Sequence, residues 1–284
     1  MVDIAPGKGQ KICDMPLTPF QTEVLRLLAA NRTEQSHFAG GLLLNFSRNS
    51  ARYSNDFDIF HEAAEEVARA SDRDVETLRQ AGYSVDFLRG DWEKPATFRK
   101  ALISLGDQSV AVDWAADSAF RFFPIEIDPV FGCRLHLFDM ATNKALALSA
   151  RTETRDYLDI IELDGLFTLE AIVWAACGKD EGFSPLFLLE MMRRFARISP
   201  GTLKEIQAKD FDPIELKKAW IAMSDRAEAE ITRIADTMPE IPIGVAFVDR
   251  EGRPGWIGND PSLRIHRPSV RGCWPTLSGV ETEE

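Results

Sequence analysis

The chain has 284 residues, of which 45% are hydrophobic and 27% are charged, and its formal net charge is −12. This composition is ordinary for a globular protein with one large domain or two smaller ones. It argues against a membrane-spanning protein, because no apolar run approaches the roughly 20 residues that cross a bilayer. The acidic balance also argues against a surface that coats nucleic acid generally, but it is compatible with a local basic groove.

Residues 1–17 are predicted to form a loose leader, and they lack the apolar core of a secretion signal. The cysteines are scattered and form no C-x-x-C pair: Cys13, Cys133, Cys177 and Cys273. Free thiols in a reducing cytosol are therefore expected rather than disulfides or a zinc site. We expect a cytoplasmic protein without membrane contact.

The first predicted helix begins after Thr18 and runs to about Asn31. Thr18 supplies an N-cap hydroxyl, Pro19 suits the first helical position, and Gln21 completes a capping box. The apolar residues that follow recur on one helical face.

The stretch from Phe38 to Phe60 combines a glycine pair with two closely spaced acids. Gly40 and Gly41 precede an apolar helical run, and Asp56 and Asp58 open a strand-like segment. Side chains two apart on a strand face the same way, so the carboxylates project together and repel unless a cation lies between them. Mg²⁺ favours such oxygen ligands together with substrate phosphates. Backbone N–H groups at the glycine turn suit a phosphate. Together these features predict phosphoryl or nucleotidyl transfer, although each of them alone is common in turns and surface loops.

The following segment alternates one helix with three strands. Residues 62–81 are rich in strong helix formers, and Gly82 is the expected helix end. Strands are then predicted over Tyr83–Leu88, Thr97–Leu105 and Ser109–Trp114, with a hairpin turn at residues 106–107.

An acid interrupts the last of these strands. Burying an unpaired carboxylate is costly, so Asp113 needs a partner or a metal. Asp86, in the first strand, is the runner-up for a third carboxylate beside Asp56 and Asp58. An ion pair at the surface is the alternative for either residue.

A short strand is predicted over Leu135–Phe138, followed by a helix from Asp139 to Arg151. Lys144 and Arg151 are seven residues apart and therefore share a face of that helix. From residue 167 onward the pattern is helical: a segment over 168–176, a second helix capped by Ser184-Pro185, and a long third helix from Asp212 to about Asp236. One strand is predicted over Ile243–Val248, and residues 252–284 are rich in Gly, Pro and Ser.

The glycine pair with D-F-D-I-F resembles the first motif of the nucleotidyltransferase superfamily with the polymerase β-like fold. The segment from Asp139 to Arg151 is similar to the motif D-L-x-x-x-K-x-x-x-I-x-x-R of the AbiEii toxin family, with Met140 and Leu148 as the departures. The D-x-x-D that follows in that family matches Asp156 and Asp159. Three further features depart from the family. Gly41 stands where many members have serine, the fourteen residues 42–55 form a long spacer, and a short K-x-T motif is absent.

The resemblance implies an α+β fold: an N-terminal nucleotidyltransferase-like mixed β-sheet with flanking helices, followed by a C-terminal helical domain. The expected boundaries are 1–17 for the leader, 18–150 for the nucleotidyltransferase-like domain, 151–240 for the helical domain and 241–284 for an irregular tail.

The resemblance also implies a reaction in which an acceptor hydroxyl attacks the α-phosphate of an NTP and pyrophosphate leaves. Asp56, Asp58 and Asp113 would hold Mg²⁺, or alternatively Mn²⁺. The residues expected to contact the nucleotide are Gly40, Gly41, Arg52, Ser54, Lys144, Arg151 and Asp156. Either Asp156 or Asp159 would orient Lys144 or take a proton, and the sequence leaves that choice open.

The family further implies a toxin of a bacterial toxin–antitoxin or phage-abortive system, with an RNA (tRNA) or protein acceptor and a cognate antitoxin. Two alternatives remain at this point. The first alternative is a catalytically weak module of the same fold that binds a nucleotide or a protein. The second is a kinase-like enzyme that transfers the γ-phosphate.

Overall fold

A computed structural model of the protein describes residues 17–46, 54, 56–90, 97–151, 153–194, 201 and 212–268. The helices in these ranges are α1 (Pro19–Ala29), α2 (Gly40–Leu44), α3 (Ala64–Gln80), α4 (Leu137–Ala150), α5 (Thr154–Leu163), α6 (Leu169–Ala176), α7 (Pro185–Arg193) and α8 (Pro213–Thr237). The strands are β1 (Ser36–Ala39), β2 (Asp56–His61), β3 (Ser84–Gly90), β4 (Phe98–Leu105), β5 (Gln108–Ala116), β6 (Glu126–Asp128), β7 (Gly132–Arg134), β8 (Ala246–Val248), β9 (Pro254–Gly255) and β10 (Arg264–His266).

The first seven strands form one mixed sheet in the order β3-β4-β5-β2-β1-β7-β6. The β2–β5 and β1–β7 pairs are parallel, and the remaining pairs are antiparallel. Helices α1, α2 and α3 contact this sheet, and a helical segment from α4 to α8 follows it. The predicted α+β class is therefore confirmed, with a mixed sheet first and helices after it.

Local sequence signals explain several of these elements. Thr18 and Gln21 form the predicted capping box at the start of α1. Gly82 adopts a φ of 90° directly after α3, a left-handed conformation that favours glycine. Leu105 pairs with Gln108 across a two-residue turn in which Gly106 has a φ of 64°, as the predicted hairpin requires.

A buried ion pair fastens α3 to the loop after α1. The Arg32 guanidinium lies 2.5 and 2.6 Å from the two Asp74 carboxylate oxygens, and both side chains have no exposed surface. Trp114 on β5 donates its indole N–H to the same carboxylate at 2.7 Å. Both carboxylate oxygens therefore have partners, as a buried charge requires.

Two hydrophobic cores meet at α4. The first lies between the sheet and helices α1 to α3, and it includes Met140 of α4. The second is formed mainly by α4 to α8 and includes Phe138 and Ala141 of α4. Helix α4 therefore connects the sheet to the helical segment.

The predicted strand over Leu135–Phe138 is wrong. Strand β7 ends at Arg134, and α4 begins at Leu137. The Leu135 backbone N–H still donates to Phe38 of β1, but the His136 side chain accepts from the Phe138 backbone N–H and caps the helix. The apolar residues here enter a core as the first turn of a helix.

Residues 241–268 are more ordered than the predicted irregular tail. Strands β8, β9 and β10 form a three-stranded antiparallel sheet. Phe247 and Trp256 are buried in the second core. Residues 269–284 lie outside the described ranges, as do residues 1–16 of the predicted leader, and Leu17 is buried in the first core.

Cys133 and Cys177 are buried free thiols, and Cys13 and Cys273 fall outside the described ranges. Among the helices that the structure describes, none is both long and apolar enough to span a bilayer.

Candidate active site

A cavity of about 740 Å³ opens between one face of the sheet and helix α4. Strands β2, β5 and β4 supply its floor, α4 supplies the opposite wall, and the turn at the start of α2 contributes one edge. Its polar and glycine lining is Gly40, Gly41, Ser54, Asp56, Asp58, Lys100, Asp113, Asp117, Asn143, Lys144, Arg151 and Arg155. The cavity thus brings together most of the residues that the sequence singled out.

The parallel pairing of β2 with β5 brings the predicted carboxylates together. Asp58 lies directly opposite Asp113, and Asp56 lies two residues before Asp58 on the same face. Burial and the negative charges of Asp113 and Asp56 raise the pKa of Asp58 to about 6, while Lys144 opposes that shift. The ionised form of Asp58 is therefore disfavoured by burial and by two neighbouring acids.

The glycine pair fits closely against Asp58. Gly40 has a φ of 73°, and a Cβ atom placed on it would lie 1.8 Å from Oδ2 of Asp58. The Gly41 backbone N–H donates to the same oxygen at 3.2 Å. The glycines thus position a carboxylate, in addition to the predicted approach of the backbone to a phosphate.

Asp113 has a cationic neighbour that the sequence analysis did not select. Lys100 on β4 pairs in register with Asp113, and its Nζ lies 2.9 Å from Oδ1. Burial raises the pKa of Asp113, and the hydrogen bond and charge of Lys100 reduce that effect.

Lys144 on α4 faces the carboxylates from the opposite wall, and two buried acids hold it there. Its Nζ lies 2.9 Å from Oδ1 of Asp156 and 2.8 Å from Oδ2 of Asp159, both on α5. Burial acts to lower the pKa of Lys144, but the two carboxylates outweigh it and the pKa is raised. The Arg151 Nε donates to Asp156 at 2.9 Å. Asp156 and Asp159 are fully buried, so both orient cations from behind the cavity wall.

Asn45 connects the two sides of the site, and sequence reasoning missed it. Its Nδ2 donates to the Gly41 carbonyl at 2.9 Å and to Oδ1 of Asp159 at 3.0 Å, and the residue is 1% exposed. The available signal was a polar residue that directly ends the apolar run of α2, four positions after Gly41.

Asp139, the first acid of the Asp139–Arg151 motif, has a structural role. Its carboxylate accepts from the backbone N–H groups of Phe122 and Phe123 at 2.9 and 3.0 Å, and Lys179 lies 3.0 Å from it. It fixes the start of α4, on which Lys144 depends.

The remaining predicted residues divide by position. Ser54 lines the cavity, whereas Arg52 lies outside the described residues. Asp86, the runner-up for the third carboxylate, is exposed on edge strand β3 with β4 between it and β5. Arg155 also lines the cavity, with its guanidinium 3.9 Å from Glu153, and sequence reasoning did not select it.

The donor set suits a magnesium ion that binds together with a nucleotide. Within the described ranges, no three His, Cys, Asp or Glu side chains converge as a ready-made metal site. Asp56 and Asp58 nevertheless project from adjacent positions of one strand face into the cavity. Mg²⁺ is commonly held by one or two carboxylates plus substrate phosphates, so this donor chemistry fits.

No protein-family model and no curated protein matches the sequence. Solved structures of similar shape include a candidate nucleotidyltransferase from Helicobacter pylori, with 13% identity, a TM-score of 0.49 and coverage of 77% of this chain and 99% of that chain. Another is JHP933 from Helicobacter pylori, with 12% identity, a TM-score of 0.44 and coverage of 78% and 95%. A third is MenT4, a nucleotidyltransferase toxin from Mycobacterium tuberculosis H37Rv, with 13% identity, a TM-score of 0.42 and coverage of 72% and 91%. All three TM-scores lie below 0.5.

Proposed function

We propose that this chain is a metal-dependent nucleotidyltransferase that moves an NMP from an NTP to a hydroxyl of an RNA or a protein. The supporting observation is the arrangement of Asp56, Asp58 and Asp113 on one side of a cavity, with Lys144 on the other. Neighbouring carboxylates that face a lysine across a cavity suit a substrate that brings phosphates together with a divalent cation.

The cations on α4, on α5 and between these helices bind the triphosphate. Lys144 acts as a point charge held by Asp156 and Asp159, and Arg151 offers the guanidinium donors that Asp156 leaves free. Arg155 and the Ser54 hydroxyl lie in the same cavity and add donors.

Asp56, Asp58 and Asp113 are the residues that would hold Mg²⁺ or Mn²⁺. When bound, such ions neutralise charge on the phosphates and lower the pKa of an attacking hydroxyl. Asp113 receives the proton of the acceptor hydroxyl, and Lys100 holds the Asp113 side chain in position. The acceptor oxygen forms a bond to the α-phosphorus, the bond to the bridging oxygen breaks, and pyrophosphate leaves.

Product analysis tests this reaction. The purified chain is incubated with Mg²⁺, total bacterial RNA or protein, and each NTP labelled at the α-phosphate. Label in the acceptor together with stoichiometric pyrophosphate supports nucleotidyl transfer. Release of the labelled NDP in place of pyrophosphate, with no label in the acceptor, would instead establish kinase-like transfer and overturn the proposal.

The same proposal extends to a toxin whose activity a cognate antitoxin restrains. Expression of the chain alone in bacteria is then expected to arrest growth, and Asp58→Asn is expected to relieve the arrest. Normal growth at confirmed expression of the wild-type chain would refute the toxin role without touching the chemistry.

A second candidate function is a nucleotide-binding module without turnover. It is favoured by the internal partners of the site: the Gly41 N–H donates to Asp58, and Lys144 already contacts two carboxylates. Mg²⁺-dependent NTP binding by calorimetry, with no pyrophosphate released over hours with any acceptor, would establish this alternative.

A further inference from the structure

Lys100 and Asp113 form an ion pair inside the cavity. They lie directly opposite each other on β4 and β5, so their side chains share the sheet face that lines the cavity. The Lys100 Nζ lies 2.9 Å from Oδ1 and 3.2 Å from Oδ2 of Asp113, and it donates a hydrogen bond to Oδ2. The ammonium group therefore lies against both oxygens, where a metal ion bound by Asp113 would also have to lie.

This pair is built into the sheet. The hairpin between β4 and β5 fixes the register that sets Lys100 against Asp113. Their side chains are 29% and 20% exposed, so solvent and salt screen the attraction less than at the surface. Burial acts to lower the pKa of Lys100, but the hydrogen bond and charge of Asp113, together with the charges of Asp56 and Asp58, outweigh it and the pKa is raised. Lys100 is therefore a cation at neutral pH and interacts with all three acids.

Asp56 and Asp58 differ from Asp113 in their partners. Among the residues that the structure describes, no lysine or arginine nitrogen lies within 4.0 Å of the carboxylate of Asp56 or Asp58. Asp58 accepts a hydrogen bond from the Gly41 backbone N–H, a group without net charge. Both carboxylates lie on one face of β2, which suits a divalent ion that binds one or two carboxylates plus substrate phosphates.

The three acids are therefore not equivalent as metal ligands. In two-metal sites the ions lie about 3.5–4 Å apart and stabilise the attacking and leaving oxygens. Mg²⁺ contacts its oxygen ligands at about 2.0–2.1 Å, so an ion on Asp113 would have to displace the Lys100 ammonium. An ion on Asp56 and Asp58 displaces no charged side chain of the described residues.

We propose that Lys100 takes the place of a second metal ion: one divalent ion binds to Asp56 and Asp58, and the Lys100 ammonium remains on Asp113. This inference rests on the proposed function, and it narrows the proposed metal ligands from three acids to two. Asp113 is then left to receive the proton of the acceptor hydroxyl, and Lys100 is a positioning residue that acts through Asp113.

Counting bound Mn²⁺ tests this assignment without requiring turnover. The full chain is saturated with NTP analogues that carry a methylene bridge between the α- and β-phosphates, one for each base. Mn²⁺ is titrated and followed by electron paramagnetic resonance, and bound ions are counted per chain against a blank with nucleotide alone. Wild type is expected to bind one ion. Lys100→Met, which removes the charge, is expected to bind two, with the spin coupling of ions about 4 Å apart.

Titration of Mn²⁺ without nucleotide gives a second measurement. Lys100→Met is expected to bind Mn²⁺ at least about tenfold more tightly than wild type, because it removes a positive charge beside the acids. Arg89→Met is the matched control, since Arg89 is exposed on edge strand β3 and pairs in register with Lys100 on the side away from Asp113. This control should leave both the ion count and the Kd unchanged.

Three results would overturn the inference. These are two Mn²⁺ ions on wild type, fewer than two on folded Lys100→Met protein, and the same nucleotide-free Kd for Mn²⁺ in both proteins. The wild-type count is decisive whether or not the variant folds. An absence of label in any acceptor, with the expected counts intact, would refute the proposed chemistry and leave the assignment of Lys100 standing. Label transfer by a wild-type chain that binds two ions would do the reverse.

Discussion

Gly40 lies directly against the Asp58 carboxylate, so a side chain at Gly40 would displace it. The turn needs a φ of 73°, and a side chain on Gly40 would overlap the Asp58 carboxylate. The acid on which the proposed reaction depends is thus positioned by a residue with no side chain of its own.

Gly40→Ala is expected to lower incorporation of nucleotide at least about tenfold, because Asp58 must rotate away from the cavity. Gly82→Ala is the matched control: its φ is 90°, and nothing lies within 4 Å of the added Cβ. Both variants should lose about 1–3 kcal/mol of stability from backbone strain, measured by urea unfolding. Equal activity of the two folded variants would contradict the role given to Gly40.

The charge on Asp58 predicts a pH dependence of stability in metal-free protein. The folded state holds the Asp58 proton with a pKa of about 6, above the ordinary 3.8. Ionised Asp58 therefore opposes folding in full above pH 6, and the penalty disappears as the pH falls from 6 to about 4. Each pKa unit is worth 1.36 kcal/mol, so the penalty reaches about 3 kcal/mol.

Asp58→Asn in EDTA is accordingly expected to unfold at a higher temperature than wild type at pH 7.5, with the advantage lost near pH 4. Thermal unfolding followed by circular dichroism measures it. A variant that is less stable than wild type at pH 7.5 would contradict this description of the carboxylate.

Among the elements, α3 is held to the loop after α1 by the buried pair of Arg32 and Asp74 and by hydrogen bonds from Asn31. Asp74→Asn leaves the Arg32 guanidinium buried without its counter-charge, which is expected to cost about 3–5 kcal/mol in urea unfolding. Glu23→Gln breaks an exposed pair within α1 and should change the midpoint little. Similar midpoints for the two variants would show that the buried pair does not hold α3.

Much of the grouping of residues in the candidate site was predictable at the level of elements. The D-x-D strand and the acid that interrupts an apolar strand singled out Asp56, Asp58 and Asp113, which line one cavity. The predicted turn at residues 106–107 also fixes the β4–β5 register, and counting back from it places Lys100 opposite Asp113. The sequence could therefore have predicted Lys100 as the neighbour of Asp113.

Other features depend on pairing that no local pattern records. The parallel contact of β2 with β5 sets Asp58 against Asp113, and it joins strands separated by a helix and two further strands. Asn45 donates a hydrogen bond to Asp159, which lies 114 positions later in the chain. The first turn of α4 has the same apolar character as a strand, and the His136 cap marks the start of a helix there.

At the scale of the whole molecule, residues 241–268 belong to the second core. The Trp256 ring lies 5.7 Å from both Trp174 and Phe247, and the indole N–H donates to Glu230. His266 stacks on Phe123 and bonds to the Phe122 carbonyl, next to the backbone that Asp139 holds. Gly- and Pro-rich composition suggested a tail because these contacts come from distant elements.

Trp256→Ala is therefore expected to cost about 3–5 kcal/mol in chemical unfolding, as removal of a buried aromatic ring does. Ile265→Ala, at a residue that is 45% exposed on β10, is the control and should change stability little. An unchanged unfolding midpoint for Trp256→Ala would mean that this segment does not contribute to the core.

The most direct measurement compares two single carboxamide variants in the transfer of label from α-labelled NTP to acceptor with Mg²⁺. Asp58→Asn removes a charge at the centre of the cavity, and Asp86→Asn removes one from the exposed edge strand. We predict a loss of at least about a hundredfold for Asp58→Asn, about 2.7 kcal/mol in transition-state stabilisation, and wild-type rates for Asp86→Asn. Wild-type rates in folded Asp58→Asn protein would contradict the assignment of this cavity as the active site.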